Sequence, residues 1–385
     1  MADTSVGSTG TRLGRRCNQD TRSTFQNGVM RPVLIVAFAA LLVGCQPAVH
    51  QPTATTSGAA SPSTTPGIPR PAVSLNCRLP VITANQTPYS FSGGFVTFPS
   101  GTYEQDPAGV INGVGDGEFD TQAQPVLRAY PDSDPPFYNL AMKRWIPQGA
   151  AQASPDGRTY AYVTPSLGGT QSTVNLVTVA SGADRVLNVN PGFAVKDFDG
   201  RYVYLTYIQS WQPAKLEQGV WRIDSATGSL VQLSQQGPVL ALRALQLWVG
   251  RINPTDPSPP KDSQGGQLFD SIVQVNLTTG AETAWIYRPG EAVSLIGLDR
   301  GGHPVVGVTH GPDFSGSPSA VLLIDAPGDS GTVITNTAVA LSTMQADVGR
   351  IWFGSAHGIY LWTPADGLQK AYPYAQTIMP AGYCV

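Results

Sequence analysis

The sequence predicts an all-β fold, a β-propeller of six blades. Three observations predict it. Residues 77–385 hold no long run of 3.6-residue apolar periodicity bounded by helix caps, while short β-rich runs alternate with Gly, Pro, Asp and Asn turns. A strand, polar-Gly turn, strand phrase returns five times, its turn glycines Gly182, Gly228, Gly280, Gly328 and Gly367 standing at steps of 46, 52, 48 and 39 residues. Cys77 and Cys384 bracket the whole repeating region, so a bond between them requires its two ends to meet.

The chain opens differently. Residues 32–45, PVLIVAFAALLVGC, hold an apolar run of about a dozen residues, too short to span a bilayer and suited to a signal-peptide core. Its end, Leu42-Val43-Gly44-Cys45, resembles the bacterial lipobox. That resemblance implies a lipid on Cys45 and the loss of residues 1–44; Met30-Arg31 makes a compact alternative start. A lipid of this kind attaches a protein to a membrane surface without spanning it. Residues 46–76 are rich in Pro, Ser, Thr and Ala and cannot bury enough surface to offset their ordering entropy. With Cys45 they make an expected tether, 45–76, ahead of a propeller domain at 77–385. The expected location is extracytoplasmic, on the cell membrane, or on an outer membrane where the cell has one.

Disulfides persist outside the cytoplasm. Cys17 leaves with the leader and Cys45 takes the lipid, so Cys77 and Cys384 are expected to pair. Loss of the leader removes five Arg and two Asp from 23 basic and 26 acidic residues, leaving a net charge of about −6. Without a Lys/Arg cluster, this balance argues against nucleic acid as a partner.

Within the repeats, ASPDGRTYAYVTP (153–165) and KDFDGRYVYLTY (196–207) each set an Asp-Gly turn before a strand. LDRGGHPVVGV (298–308) and ADVGRIWFG (346–354) do so more loosely, and RALQLWVGR (243–251) has lost its Asp-Gly. Between them fall the Gly-turn phrases, such as VNLVTVASGADRVL (174–187) and VWRIDSATGSLVQL (220–233). Each unit thus holds two hairpins in about 45 residues, the period of a propeller blade. The units fall at 88–148, 149–189, 190–235, 236–288, 289–335 and 336–376. The end segments 77–82 and 377–384 then lie together, or complete a seventh blade of their own. A β-sandwich is the competing architecture; the period, the number of strands and the tied ends argue against it. SPDGRTYAY is similar to the Ser-Pro-Asp-Gly repeat of TolB-type, WD40-like propellers, over residues near 90–375. GGFVTFPSG (93–101) and AMKRWIP (141–147) resemble a group of lipoprotein propellers of unknown role. These resemblances imply a fold and leave the activity open, because propellers serve many.

In such a blade both kinds of turn fall on one face. The opposite face carries the longer connections: 102–136, 164–173, 207–219, 253–270 and 309–319. Long irregular loops on a rigid scaffold are where binding residues concentrate, so this face is expected to bind. The candidates are Trp211, Lys215 and Glu217 in one loop, His310 and Asp313 in another, and His357 in the next blade. An aromatic beside polar groups suits a sugar or a peptide; Trp211 could equally cover a neighbouring blade's edge. His310, Asp313 and His357 would need to converge to hold a metal, and nothing in their spacing shows it, so neither metal nor cofactor is expected. Asp116, Glu118 and Asp120 alternate as in a calcium loop, but Thr121 stands where the EF-hand pattern needs Gly, and a solvated acidic loop is the simpler reading. No Gly-x-Ser-x-Gly, Walker, Rossmann or zinc-protease phrase occurs, and FGSAHG (353–358) has the wrong spacing, so no catalytic residue is assigned. The expected function is a membrane-anchored binding or scaffold module for a protein, peptide or envelope glycan. The alternative is a hydrolase or lyase acting on an extracellular polymer in the central pocket.

Overall fold

The computed structural model describes residues 73–84, 90–113, 119–130, 134–165, 171–210, 216–262, 265–310, 318–336 and 339–385. The expected leader, Cys45 and nearly all of the tether lie outside the described residues. Among those described, the regular elements are β-strands and one turn of 3₁₀ helix, Ala150–Gln152, and no helix is long and apolar enough to cross a membrane.

Three antiparallel sheets repeat one plan, each with four strands in chain order. The first of them is Phe193–Phe198, Tyr202–Ser210, Leu216–Asp224 and Leu230–Ser234. Val239–Arg243, Gln246–Arg251, Ser271–Asn276 and Glu282–Tyr287 follow, then Ala292–Leu298, Pro304–Thr309, Ala320–Leu323 and Thr332–Thr335. Before them stand Thr159–Thr164, Ser172–Thr178 and Asp184–Val189, where the 3₁₀ turn and an Ala153↔Tyr160 bridge take the place of a first strand. After them come Leu341–Asp347, Arg350–Ser355, Gly358–Thr363 and Gly367–Pro373. The remaining group takes its first strand from the C-terminus: Ile378–Pro380 pairs with Cys77–Ala84, which pairs with Phe91–Phe98, which pairs with Thr102–Gly113. A single Ser355↔Ile378 pairing makes these last two groups one continuous sheet.

Five of the six expected units keep their boundaries to within a few residues. The unit expected at 88–148 does not. Cys77–Ala84 pairs along its whole length with Phe91–Phe98, so the chain enters this sheet at Cys77. Phe137–Asn139 and Arg144–Ile146 form a hairpin apart from it. Leu79 through Thr83 are all buried, on both faces of the strand. Such a strand shows no polar alternation, and that concealed it in the sequence. The packed chain also starts ahead of Cys77, since Val73 is buried beside Leu75.

The cores lie between sheets. Ala161, Val174 and Leu176 of one sheet meet Phe193, Val203 and Leu205 of the next. Tyr204 and Val220 meet Val239, Leu247 and Val275; Trp248 and Ile272 meet Val306 and Leu322; Val305 and Val321 meet Ile351 and Phe353. Trp352 and Leu361 then meet Leu79, Val96 and Phe98, which returns the packing to the first group. The hairpin fills the last interval, Trp145 packing on Ile82 and Phe95 and Ile146 packing on Tyr160 and Val177. First strands of successive sheets approach one another, so they form the inner layer of this propeller-like arrangement. Cys77 and Cys384, 307 residues apart, form a disulfide with a Cα–Cα distance of 5.6 Å. Arg78 and Val385 exchange backbone hydrogen bonds beside it, at 2.6 and 3.0 Å.

Candidate functional site

The four-stranded order sets two unlike faces. Turns between first and second strands and between third and fourth strands share one end of each sheet. Ser154-Pro155-Asp156-Gly157 is such a turn: the Gly157 N–H donates to the Ser154 carbonyl (2.7 Å), and the Thr159 N–H donates to Ser154 Oγ (3.0 Å). Connections between second and third strands emerge at the other end. Residues 252–270 make the longest of these among the described residues.

That connection is fixed from below by two carboxylates. Asp270 is fully buried and accepts the Asn253 N–H on both oxygens, at 2.9 and 3.0 Å. Asp256 is also buried; it accepts the Ser258 N–H (2.8 Å) and reaches the next sheet through the Gly290 N–H (2.9 Å). Main-chain N–H groups that would otherwise lose their water partners are thereby satisfied. Tyr287 stands over this pair, and its hydroxyl is raised above its ordinary pKa by desolvation first and then by Asp256 and Asp270. The phrase NPTDPSPP carried the signal, because Asn and Asp two residues before a free N–H form Asx turns: Asn253 accepts from the Thr255 N–H (3.0 Å).

Beside this loop stands His310. Its Nδ1 lies 2.9 Å from Glu291 Oε1, and its backbone N–H donates to Ser319 Oγ at 3.1 Å. Asp256, Gly290, Glu291 and His310 therefore form one connected series across two sheets. A carboxylate on Nδ1 orients an imidazole and leaves Nε2 for a ligand or a proton.

The other candidates are placed as follows. Glu217 is buried: it accepts from Thr206 Oγ1 (2.7 Å) and pairs with Lys196 Nζ (3.0 Å). His357 is exposed, its N–H donating to Ser355 Oγ at 3.0 Å, and no described contact joins it to His310. Trp211, Lys215 and Asp313 lie outside the described residues. So do Asp116 and Glu118, while Asp120 faces Arg128 at 3.6 Å. Among the described residues no three His, Cys, Asp or Glu side chains gather as a metal site. Sequence reasoning chose His310 and missed Glu291, Asp256 and Asp270.

No protein-family model and no curated protein matches the chain. Among solved structures it is similar to TolB from Acinetobacter baumannii, at 12% identity over 79% of this chain and 65% of that one, with a TM-score of 0.41. It is similar to the β-propeller domain of the Trilobed protease from Pyrococcus furiosus, at 9% identity over 77% and 84% with a TM-score of 0.43. An oligogalacturonate lyase in complex with manganese shows 11% identity over 74% and 73% with a TM-score of 0.42. The chain spans 46% of the length of the acylaminoacyl peptidases it also matches. Identities this low say nothing about activity.

Proposed function

We propose that this chain is a closed six-bladed propeller, lipid-anchored through Cys45 outside the cytoplasm, that works as a binding or scaffold module. Its ligand is a protein, a peptide or an envelope glycan, taken on the face of the long connections. One observation carries this reading: the described residues of the longest connection, 252–262 and 265–270, are tied down by the buried Asp256 and Asp270, beside the His310–Glu291 pair. A loop fixed before binding loses little entropy on binding, which is what a recognition surface requires. The acidic mature charge and the absence of a Lys/Arg cluster support partners other than nucleic acid.

The second reading is a hydrolase or lyase of an extracellular polymer. It is favoured by His310, whose carboxylate partner suits an oriented general base. The test is cross-linking capture from intact cells, using the anchored protein and a form with 252–270 and 309–319 cut to short turns. One partner that the trimmed form loses supports the binding module. No partner, together with polymer turnover that His310→Ala abolishes, replaces it with the enzyme.

A further inference from the structure

The opposite face, that of the short turns, holds a cavity of about 370 Å³. It opens where inner elements end: Gln345 comes from the first strand of one sheet, the Ser154–Gly157 turn from another, and Tyr383 from the chain's end. Its volume is in the range of small-molecule sites. Phe137, Tyr138 and Tyr383 are the aromatic residues of its lining, and Asp156 is the one carboxylate among the described residues there. No Lys, Arg or His is among the described residues that line it.

Tyr138 and Asp156 are fixed in advance, and Tyr383 stands at the rim. Tyr138 packs edge-on against Phe95 and Trp145, at centroid distances of 5.1 and 5.2 Å. Tyr383, half exposed, adjoins Cys384 of the disulfide. Asp156 accepts from the Arg158 N–H (3.0 Å) and from Ser154 Oγ (2.7 Å), and these hydrogen bonds, the first above all, hold its carboxyl below the usual range. The Arg158 guanidinium stands 3.8 Å from Oδ2, with both side chains largely in water, so this pair competes weakly. Aromatic faces with an ionised carboxylate attract an ammonium group, and they repel an anion.

We propose that this cavity binds a small organic cation, an alkyl- or quaternary ammonium group on a compact apolar body. The site is independent of the long-connection face. Gln345 adds an amide that can accept from, or donate to, a hydroxyl on the same ligand.

The experiment is calorimetric titration of the whole protein with choline and with 3,3-dimethylbutan-1-ol, its neutral isostere. The expected result is saturable choline binding and an isostere weaker by about tenfold or more. Asp156→Asn, which keeps the oxygen that accepts from Ser154, and Tyr383→Ala at the exposed rim should each weaken choline several-fold. Co-sedimentation with phosphatidylcholine vesicles distinguishes the source. Binding to vesicles assigns a lipid headgroup; choline binding without vesicle binding assigns a free amine. Equal affinity for the isostere, no saturable choline binding, or choline binding unchanged in both variants overturns the proposal. The comparison of choline with its isostere uses the unaltered protein, so it does not depend on either variant folding.

Discussion

Lys196 occupies the extra position of a bulge between Val195 and Asp197, and the corresponding bulges of the next three sheets hold Leu240, Ile296 and Ser342. A bulge re-aims one side chain, and here it turns a lysine onto the buried Glu217. Their side chains are 15% and 7% exposed, so neither charge keeps its water. Glu217→Ala should therefore cost about 3–5 kcal/mol by leaving Lys196 buried and unpaired. Adding Lys196→Met should restore most of it, because an apolar pair needs no desolvation; urea unfolding of the single and double variants reads both effects. A double variant as unstable as the single one would show that shape, not charge, is the constraint. The neighbouring Asp197 is raised to about 6, first by desolvation and next by Asp199, against the Phe198 N–H that it accepts. A carboxyl raised on folding binds its proton more tightly in the native state. Its contribution is complete below the ordinary carboxylate pKa and is lost as pH rises from there through about 6. Asp197→Asn should thus stabilise by about 1–2 kcal/mol at pH 8 and by nothing near pH 3. A gain that is equal at both pH values would remove titration as its cause. None of this was legible in the sequence, where Glu217 read as a loop residue free for ligand. Burial of one charged side chain depends on a partner from another strand, and spacing does not report it.

At the scale of the element, the turns were legible and their contacts were not. The five turn glycines chosen from the repeat all have positive φ, between 68° and 77°. RALQLWVGR lost its Asp-Gly yet kept the backbone: Ala244 and Leu245 stand at φ 49° and 63°, the pair of left-handed residues that a type I′ turn needs. A sequence rule keyed to glycine misses such a turn, while the flanking strands still define it. Gly157 and Gly280 separate strain from contact. Both are left-handed, at 68° and 72°. A Cβ on Gly280 would meet nothing within 4 Å, whereas on Gly157 it would stand 2.1 Å from Asn139 Nδ2, which itself donates to the Gly157 carbonyl. Gly280→Ala should cost about 1–2 kcal/mol, the strain alone. Gly157→Ala should cost roughly 2 kcal/mol more, since it also displaces the buried Asn139 from its hydrogen bonds. Thermal unfolding of the two variants side by side measures the difference; equal losses would mean that Asn139 moves aside freely.

For the whole molecule, the repeat foretold six groups of strands, and the two cysteines foretold the meeting of the ends. Neither could foretell how they meet. Ile378–Pro380 is too short to carry a pattern, and it becomes a first strand because Val81, Ile82 and Thr83 offer it an open edge. Each inner sheet buries its faces against two neighbours, and the first and last groups share a core at a place where the chain has no covalent continuity. Two devices act there, the short ladder and the Cys77–Cys384 bond. By loop entropy, a bond closing 307 residues contributes roughly 5–6 kcal/mol. Replacing both cysteines with serine should lower the unfolding free energy by about that amount, less whatever order the open chain retains. The location of the loss is the sharper test. Hydrogen exchange should accelerate first at the amides of Ile82 and Met379, while those of Val249 and Ile272, in the core between the inner sheets, stay protected. Uniform acceleration would mean that the sheets unfold together and that the disulfide holds the whole chain. Local acceleration would mean that the structure opens at this one seam, and that the remaining sheets keep their shared cores without it.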